Sequence, residues 1–364
     1  MPKKNQSHLN YKFIILLIVA GSLLTLTTAY AKLYGTRPQD GGIAESNNLP
    51  ADQGLIVRSV DTQIVSKNWQ NTSRDSIASQ VSLIKNMGAN FVAISTPYDQ
   101  ADELSIWADE IHKAGLHVWF RSHWLNWEGD QSSAPTMTSA TYLSQTSDFI
   151  KSHPSIFKSG DAFTVCVEPE QIFVVKKTKS FDADSYNKFL IDQIDTADKA
   201  FAEIDMGGKV YTNWISLNGW VVLNGLQQSA VDKMGVITVD HYPDQSGDLT
   251  AEESALKLSN DLKSFYQKWH KPIILGEWGY NIQHEVLDTE QSEYVQATLN
   301  QLSNLNFLLG LNYWDDMGNT ARLINDTNGK ITTERPAAQV LTDFYDSKIK
   351  ILESKPTQSS TAGN

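Results

Sequence analysis

Cysteine is almost missing from this chain of 364 residues: Cys166 is the single copy. One cysteine excludes an intramolecular disulfide and any zinc site built on cysteine ligands. Basic residues are also scarce. Lys and Arg total 30 against 42 Asp and Glu, a net charge of −12. Gripping a phosphate backbone needs a basic surface, so nucleic acid is excluded as a partner. No Gly-rich loop follows the first candidate strand, which removes the signature of dinucleotide binding. No internal sequence repeat is evident. The pair Asp315-Asp316 lacks a third ligand at suitable spacing, so no metal site is expected.

What is present is apolar and aromatic. Hydrophobic residues make up 41% of the chain, enough for a sizeable core, and there are 10 Trp and 13 Tyr. Such rings fill cores or stack on sugar faces, and composition leaves both open. At the N-terminus, Lys3, Lys4 and Lys12 precede an apolar run from Phe13 to Leu24, and Ala29-Tyr30-Ala31 follows. A basic start, a hydrophobic centre and an Ala-x-Ala site read as an export signal over residues 1–31. The run is also about long enough to span a bilayer, so cleavage gives a secreted protein and retention an anchor on the outer face of the membrane. Membrane contact is expected only through this segment. Residues 32–53 are polar and rich in Gly, Pro and Asn, which suits a linker; residues 54–349 form the body and 350–364 a tail. Nothing signals an oligomer, and a monomer is the default.

Along the body, short apolar runs alternate with longer amphipathic ones. The predicted strands are 54–61, 89–96, 116–123, 162–168, 209–216, 235–242, 272–278 and 307–314. Predicted helices include Ser76–Met87, Ala101–Ala114, Asp184–Ile204, Ala251–Trp269 and Thr289–Leu305. Three helical stretches stop at glycine just before a strand, at Gly88, Gly115 and Gly235, the position after a helix end where a left-handed residue is wanted. Near-continuous apolar strands separated by helices imply a parallel sheet covered by helices. Eight such units suggest an α/β fold of the (β/α)8 TIM-barrel type, with a doubly wound sheet as runner-up.

In such a barrel the C-terminal strand ends carry the chemistry. Those ends read Arg58 and Asp61; Arg121, His123 and Trp124, with Asn126 and Trp127 after them; Glu168 and Glu170; Asn213; Asp240, His241 and Tyr242; Glu277 and Trp278; and Asn312, Trp314, Asp315 and Asp316. Rim residues of a purely structural barrel are polar too. A glutamate ending the run Ile-Ile-Leu-Gly must nevertheless lose water or find partners, which is costly and suggests use. Two glutamates on different strands are what glycoside hydrolysis requires: one protonates the leaving oxygen, and the other attacks the anomeric carbon or activates water. Glu170, two residues beyond Glu168, is a rival for the acid role.

The segment KPIILGEWGY (271–280) resembles the strand-seven nucleophile motif of clan A glycoside hydrolases, the group that holds the family 5 cellulases and mannanases. FTVCVEPE (163–170) is similar to their strand-four acid/base motif, VDHYPD (239–244) to the strand-six segment, and LNYWDD (311–316) to the strand-eight tryptophan. ERPAAQVLTDFY (334–345) is similar to the last helix. The resemblance implies Glu277 as nucleophile and Glu168 as acid/base in a retaining mechanism that needs no metal or organic cofactor. It further implies that Tyr242 bonds the nucleophile, that Trp314 floors the sugar subsite, and that His123, Asn213, Asp240 and Trp278 are substrate-binding. The implied substrate is a β-linked poly- or oligosaccharide. One departure stands out: Val167 occupies the place of the family asparagine that touches the sugar 2-hydroxyl. Either Asn213 or Asn126 substitutes, or turnover is altered. In the limit the chain is a carbohydrate-binding surface protein with a decayed barrel.

Overall fold

The computed structural model describes residues 55–124, 137–175, 180–242, 248–280, 287–327 and 330–354. The expected export signal, the linker, Asn126 and Trp127 lie outside them. Among the described residues no helix is long and apolar enough to cross a membrane.

Eight strands form one parallel sheet: β1 (Val57–Asp61), β2 (Phe91–Ile94), β3 (His117–Phe120), β4 (Ala162–Phe163), β5 (Ser216–Asn218), β6 (Ile237–Asp240), β7 (Ile273–Trp278) and β8 (Leu308–Tyr313). Their order is β4-β3-β2-β1-β8-β7-β6-β5. Each is followed by a helix: α1 (Arg74–Asn86), α2 (Ala101–Lys113), α3 (Ser139–Ser152), α4 (Ala183–Glu203), α5 (Gln228–Met234), α6 (Ala251–Trp269), α7 (Asp288–Leu302) and α8 (Pro336–Ser354). The sheet curls until β4 meets the chain leading into β5. There the Phe163 N–H donates to Tyr211 O and the Tyr211 N–H to Asp161 O, both at 2.8 Å. This is a TIM-like α/β fold.

Local chemistry explains the element ends. The Thr250 and Glu253 side chains cap α6 reciprocally, each accepting from the other's backbone N–H. Gly88, Gly115 and Gly235 have φ of 81°, 79° and 68°, as their places after helix ends predict. Inside-outside alternation sets the packing. Phe91 and Ala93 join Val57, Trp119, Ala162, Trp214, Val236 and Ile274 in a plug inside the barrel. Val92 and Ile94 belong instead to the larger cluster between sheet and helices. Above the plug the inward positions turn polar, with Asp61, Arg121 and Asp240 among the buried residues there.

Two strands depart from expectation. Of the apolar run 162–168, only Ala162–Phe163 is in the strand; just beyond it the Thr164 N–H still donates to Phe120 O at 2.9 Å, and its Oγ1 accepts from Trp119 Nε1 and donates to Trp214 O. The fifth strand is not 209–216: it pairs at Ser216↔Thr238, Leu217↔Val239 and Asn218↔Asp240, so it ends at Asn218.

Candidate active site

Glu277 reaches the barrel mouth through a β-bulge. Ile274 points inward and Leu275 outward, so plain alternation would send Glu277 out with Leu275. The pairing with β6, however, steps from Val239↔Leu275 to Asp240↔Glu277, and that with β8 from Leu311↔Leu275 to Tyr313↔Trp278. One extra residue, Gly276, is thereby inserted, which re-aims Glu277 at the interior. A Cβ on Gly276 would come within 2.4 Å of Asp240 Oδ1, so glycine is required by close approach. The Glu277 side chain retains 12% exposure, and both its oxygens are engaged. Oε1 accepts from Arg121 Nη2 at 2.6 Å, and Oε2 accepts from the Tyr242 hydroxyl at 2.9 Å.

Arg121, just past β3, is the hub. Its side chain is 1% exposed, and it also donates to Asp61 Oδ2 (3.3 Å), Asp240 Oδ2 (2.9 Å) and Gly276 O. Asn312 Nδ2 supports the same ring by donating to Asp61 Oδ2 (2.9 Å) and Gly276 O (2.8 Å). One guanidinium thus faces three carboxyl groups in a site with little water. Burial disfavours the charged guanidinium, but Asp240, Glu277 and Asp61 outweigh it and hold its pKa above the ordinary value. Burial likewise lifts Asp240 well above the carboxylate range against the pull of Arg121, and Glu277 and Glu168 lift it further. Glu277 is raised by burial, with Arg121 and the Tyr242 hydrogen bond opposing.

Glu168 is half-buried, and its backbone is left-handed at φ 42°. For a side chain with a Cβ, that conformation costs about 1–3 kcal/mol and persists only where neighbours impose it. On the ring, β5 and β6 separate its strand from that of Glu277, and Asp240 on β6 feels the charge of both glutamates. Val167 is 4% exposed and apolar, so it offers nothing to a hydroxyl. Glu170, the rival acid, is 5% exposed. Its Oε1 accepts from the Asn218 N–H at 2.7 Å and its Oε2 from the Tyr186 hydroxyl at 3.3 Å. Burial first, and then the charge of Glu168, push its carboxyl up to about 8.

That shift has a consequence for stability. Between the ordinary carboxylate range and pH 8, folded Glu170 keeps a proton that the unfolded chain has lost. Its contribution is therefore full in acid and falls as pH rises, by up to about 1.4 kcal/mol per pH unit. Glu170→Gln removes this dependence. Urea midpoints of the two chains measured from pH 5 to 8 are expected to lie closest in acid and to separate as pH rises, the wild type falling relative to Glu170→Gln; a constant offset would contradict the assignment.

The other expected residues separate into two groups. Trp314 is half-buried at the mouth, edge-on to Tyr242 (centroids 6.0 Å apart), with its Nε1 donating to Gln63 Oε1 at 2.7 Å. Its peptide bond to Asp315 is cis. His123 is 8% exposed, with Nδ1 3.0 Å from Trp124 O. The remaining three need correction. Trp278 is fully buried and packs edge-on against Tyr313 (5.1 Å) in the layer between sheet and helices, because the bulge that turns Glu277 in turns Trp278 out. Asn213 lies at the opposite end of the sheet: its Nδ2 donates to Met234 O, just before β6 begins. Asp240 is 4% exposed and bonded to Arg121, so it supports the mouth from beneath. Arg58 too lies at the far end, on the carbonyls of Leu55 and Gly88. Arg121 and Asp61 hold more of the mouth together than their strand-end positions alone predict. Their signal was a charged residue directly ending a buried run, and their partners are distant in the chain. Asp315 and Asp316 are fully buried; Asp315 Oδ2 accepts from the Ile64 N–H at 2.9 Å. Among the described residues, no group of three His, Cys, Asp or Glu converges to hold a metal ion.

Fold and site together define a parallel α/β barrel with a carboxylate-rich mouth organised around one buried arginine. No family model matches the chain, and no curated protein sequence matches it. Solved structures do share its fold. It is similar to a β-glucuronidase from an uncultured Clostridium sp., with a TM-score of 0.56 and 13% identity, covering 80% of this chain and 50% of that one. A β-D-glucuronidase of Dictyoglomus thermophilum gives 0.52 and 17%, covering 80% and 50%. A Bifidobacterium dentium β-glucuronidase complexed with coumarin-3-O-glucuronide gives 0.56 and 11%, covering 81% and 48%. The chain spans about half the length of these proteins. The likeness shows the barrel fold and does not single out family 5.

Proposed function

We propose that the chain is an exported retaining glycoside hydrolase acting on β-linked poly- or oligosaccharides, working as a monomer with no nucleic-acid partner. The observation that carries this reading is Glu277: a carboxylate at the barrel mouth whose two oxygens are held by the Arg121 fork and the Tyr242 hydroxyl. A nucleophile must be ionised and fixed in direction, and these two donors favour the charged form. Glu168 then supplies the proton. In the first displacement Glu277 bonds to the anomeric carbon while Glu168 protonates the departing glycosidic oxygen. In the second, Glu168 takes a proton from water, the water oxygen bonds to the anomeric carbon, and Glu277 leaves. Trp314 provides an apolar face for the sugar ring. The barrel likeness to β-glucuronidases agrees with chemistry on β-glycosides, and β-glucuronides belong in any substrate panel. The N-terminal segment supports export, either released or anchored on the outer face.

The test is the configuration of the first product. Proton NMR of fresh digests of 4-nitrophenyl β-glycosides and β-glucans should show the β-anomer before mutarotation. The α-anomer appearing first would sink the retaining mechanism. Val167 motivates a second reading, glycan binding without turnover, which any sustained product formation by the wild type excludes.

A further inference from the structure

The segment that carries Glu168 is bonded to β5 twice. The Glu168 N–H donates to Ser216 O at 3.0 Å, and two residues on, Glu170 Oε1 accepts from the Asn218 N–H at 2.7 Å. Ser216 and Asn218 are alternate residues of one strand, so the two bonds bracket Pro169 and set the register of the segment against the barrel rim. The other Glu170 oxygen accepts from the Tyr186 hydroxyl on α4. Tyr186 is itself fully buried, with the rings of Phe173 and Phe181 at 5.7 and 5.0 Å. Its neighbour Asn187 donates to Gly225 O and accepts from the Gln227 N–H, which fastens α4 to the chain beyond β5. A buried carboxyl bonded in this way to two elements over-determines what lies beside it. Beside it is the left-handed backbone of Glu168.

We infer that Glu170 is a positioning residue whose carboxyl clamps residues 168–170 to the tip of β5 and so aims the Glu168 side chain; the inference rests on the reading of Glu168 as the acid/base. It also assigns the two glutamates different work. Glu168 faces the substrate, and Glu170, with both oxygens engaged from behind, never touches it.

Two variants test the clamp. Glu170→Ala removes both bonds. Glu170→Gln keeps the acceptor for the Asn218 N–H and copies the neutral acid that burial favours. On 4-nitrophenyl β-glycosides, Glu170→Ala is expected to lower kcat on the order of 100-fold with KM little changed, the signature of a displaced catalytic group. Glu170→Gln should recover kcat to within several-fold. Crystal structures should show Glu168 leaving the left-handed region in the alanine variant and keeping it in the glutamine variant. If Glu170→Ala does not fold, Tyr186→Phe removes one of the two bonds and should give an intermediate loss. Wild-type kcat in Glu170→Ala overturns the clamp, as does a folded Glu170→Gln that is equally inactive. Should the wild type hydrolyse no glycoside, the acid/base reading fails separately and the crystal structures decide. Glu168 then still left-handed in Glu170→Ala overturns the clamp, and its release upholds it.

Discussion

Glu277→Ala is expected to lower kcat for β-glycoside hydrolysis by at least about 10⁴-fold, the scale of loss when a covalent nucleophile is removed. It should do so without unfolding the chain. Arg121 loses one acceptor of four and keeps Asp61, Asp240 and Gly276 O. A carboxylate that burial disfavours has also gone, so the melting temperature should hold or rise. The small space left at the mouth can admit azide, which would restore turnover and release the glycosyl azide with inverted configuration. Glu168→Ala should behave differently: azide there needs no base, attacks the anomeric carbon of the glycosyl-enzyme in place of water, displaces the Glu277 carboxylate and gives the azide with retained configuration. These opposite stereochemical outcomes assign the two roles independently of any rate. Full activity in Glu277→Ala would dismiss the proposed mechanism.

The sequence made much of this barrel legible, for physical reasons. Strands β6, β7 and β8 are buried on both faces, so each is a near-continuous apolar run whose first polar residue marks the mouth. Glu277 and Asp240 stand out as strand-end residues in that way, whereas the roles expected of Tyr242 and Trp314 come from the family resemblance alone. The misplacements have equally local causes. The run Val-Tyr-Thr-Asn-Trp-Ile looks like a strand, but Trp214 is part of the barrel plug and the ladder to β6 begins only at Ser216, which carries Asn213 to the far end. Trp278 follows Glu277 in sequence and so reads as substrate-binding, because a bulge leaves no trace in apolar periodicity beyond its glycine. The clamp at Glu170 joins the segment beyond β4 to β5 and α4, and no spacing rule on one strand reveals bonds to two other elements.

The largest loss of stability is expected from Arg121→Met, about 3–5 kcal/mol in urea denaturation near neutral pH. Methionine fills the volume but leaves Asp61, Asp240 and Glu277 facing one another without a cation, and the penalty is that of buried, uncompensated charge. Its sign with pH follows. Without the guanidinium, which opposes the upward shift of Asp240 and Glu277, the folded-state pKa values of these two carboxyls rise further, so the folded chain binds more protons than the unfolded one. Stability of the variant is therefore highest in acid and falls as pH rises, and the gap to wild type should be smaller at pH 5 than at pH 8. Arg121→Lys should recover part of the loss, because one ammonium can meet one or two acceptors but cannot reproduce a fork that spans three strands. Adding Asp240→Asn to Arg121→Met removes one of the stranded charges and should return part of the lost stability, a coupling that a double-mutant cycle reads directly. A pH-independent cost, with no recovery from Asp240→Asn, would mean that Arg121 acts by packing alone. Recovery of stability without recovery of hydrolysis would separate the two duties of the cluster. Well-packed apolar residues could hold this part of the barrel together, whereas a guanidinium under three carboxyls opposes the burial that raises Glu277 and fixes the direction of its carboxyl.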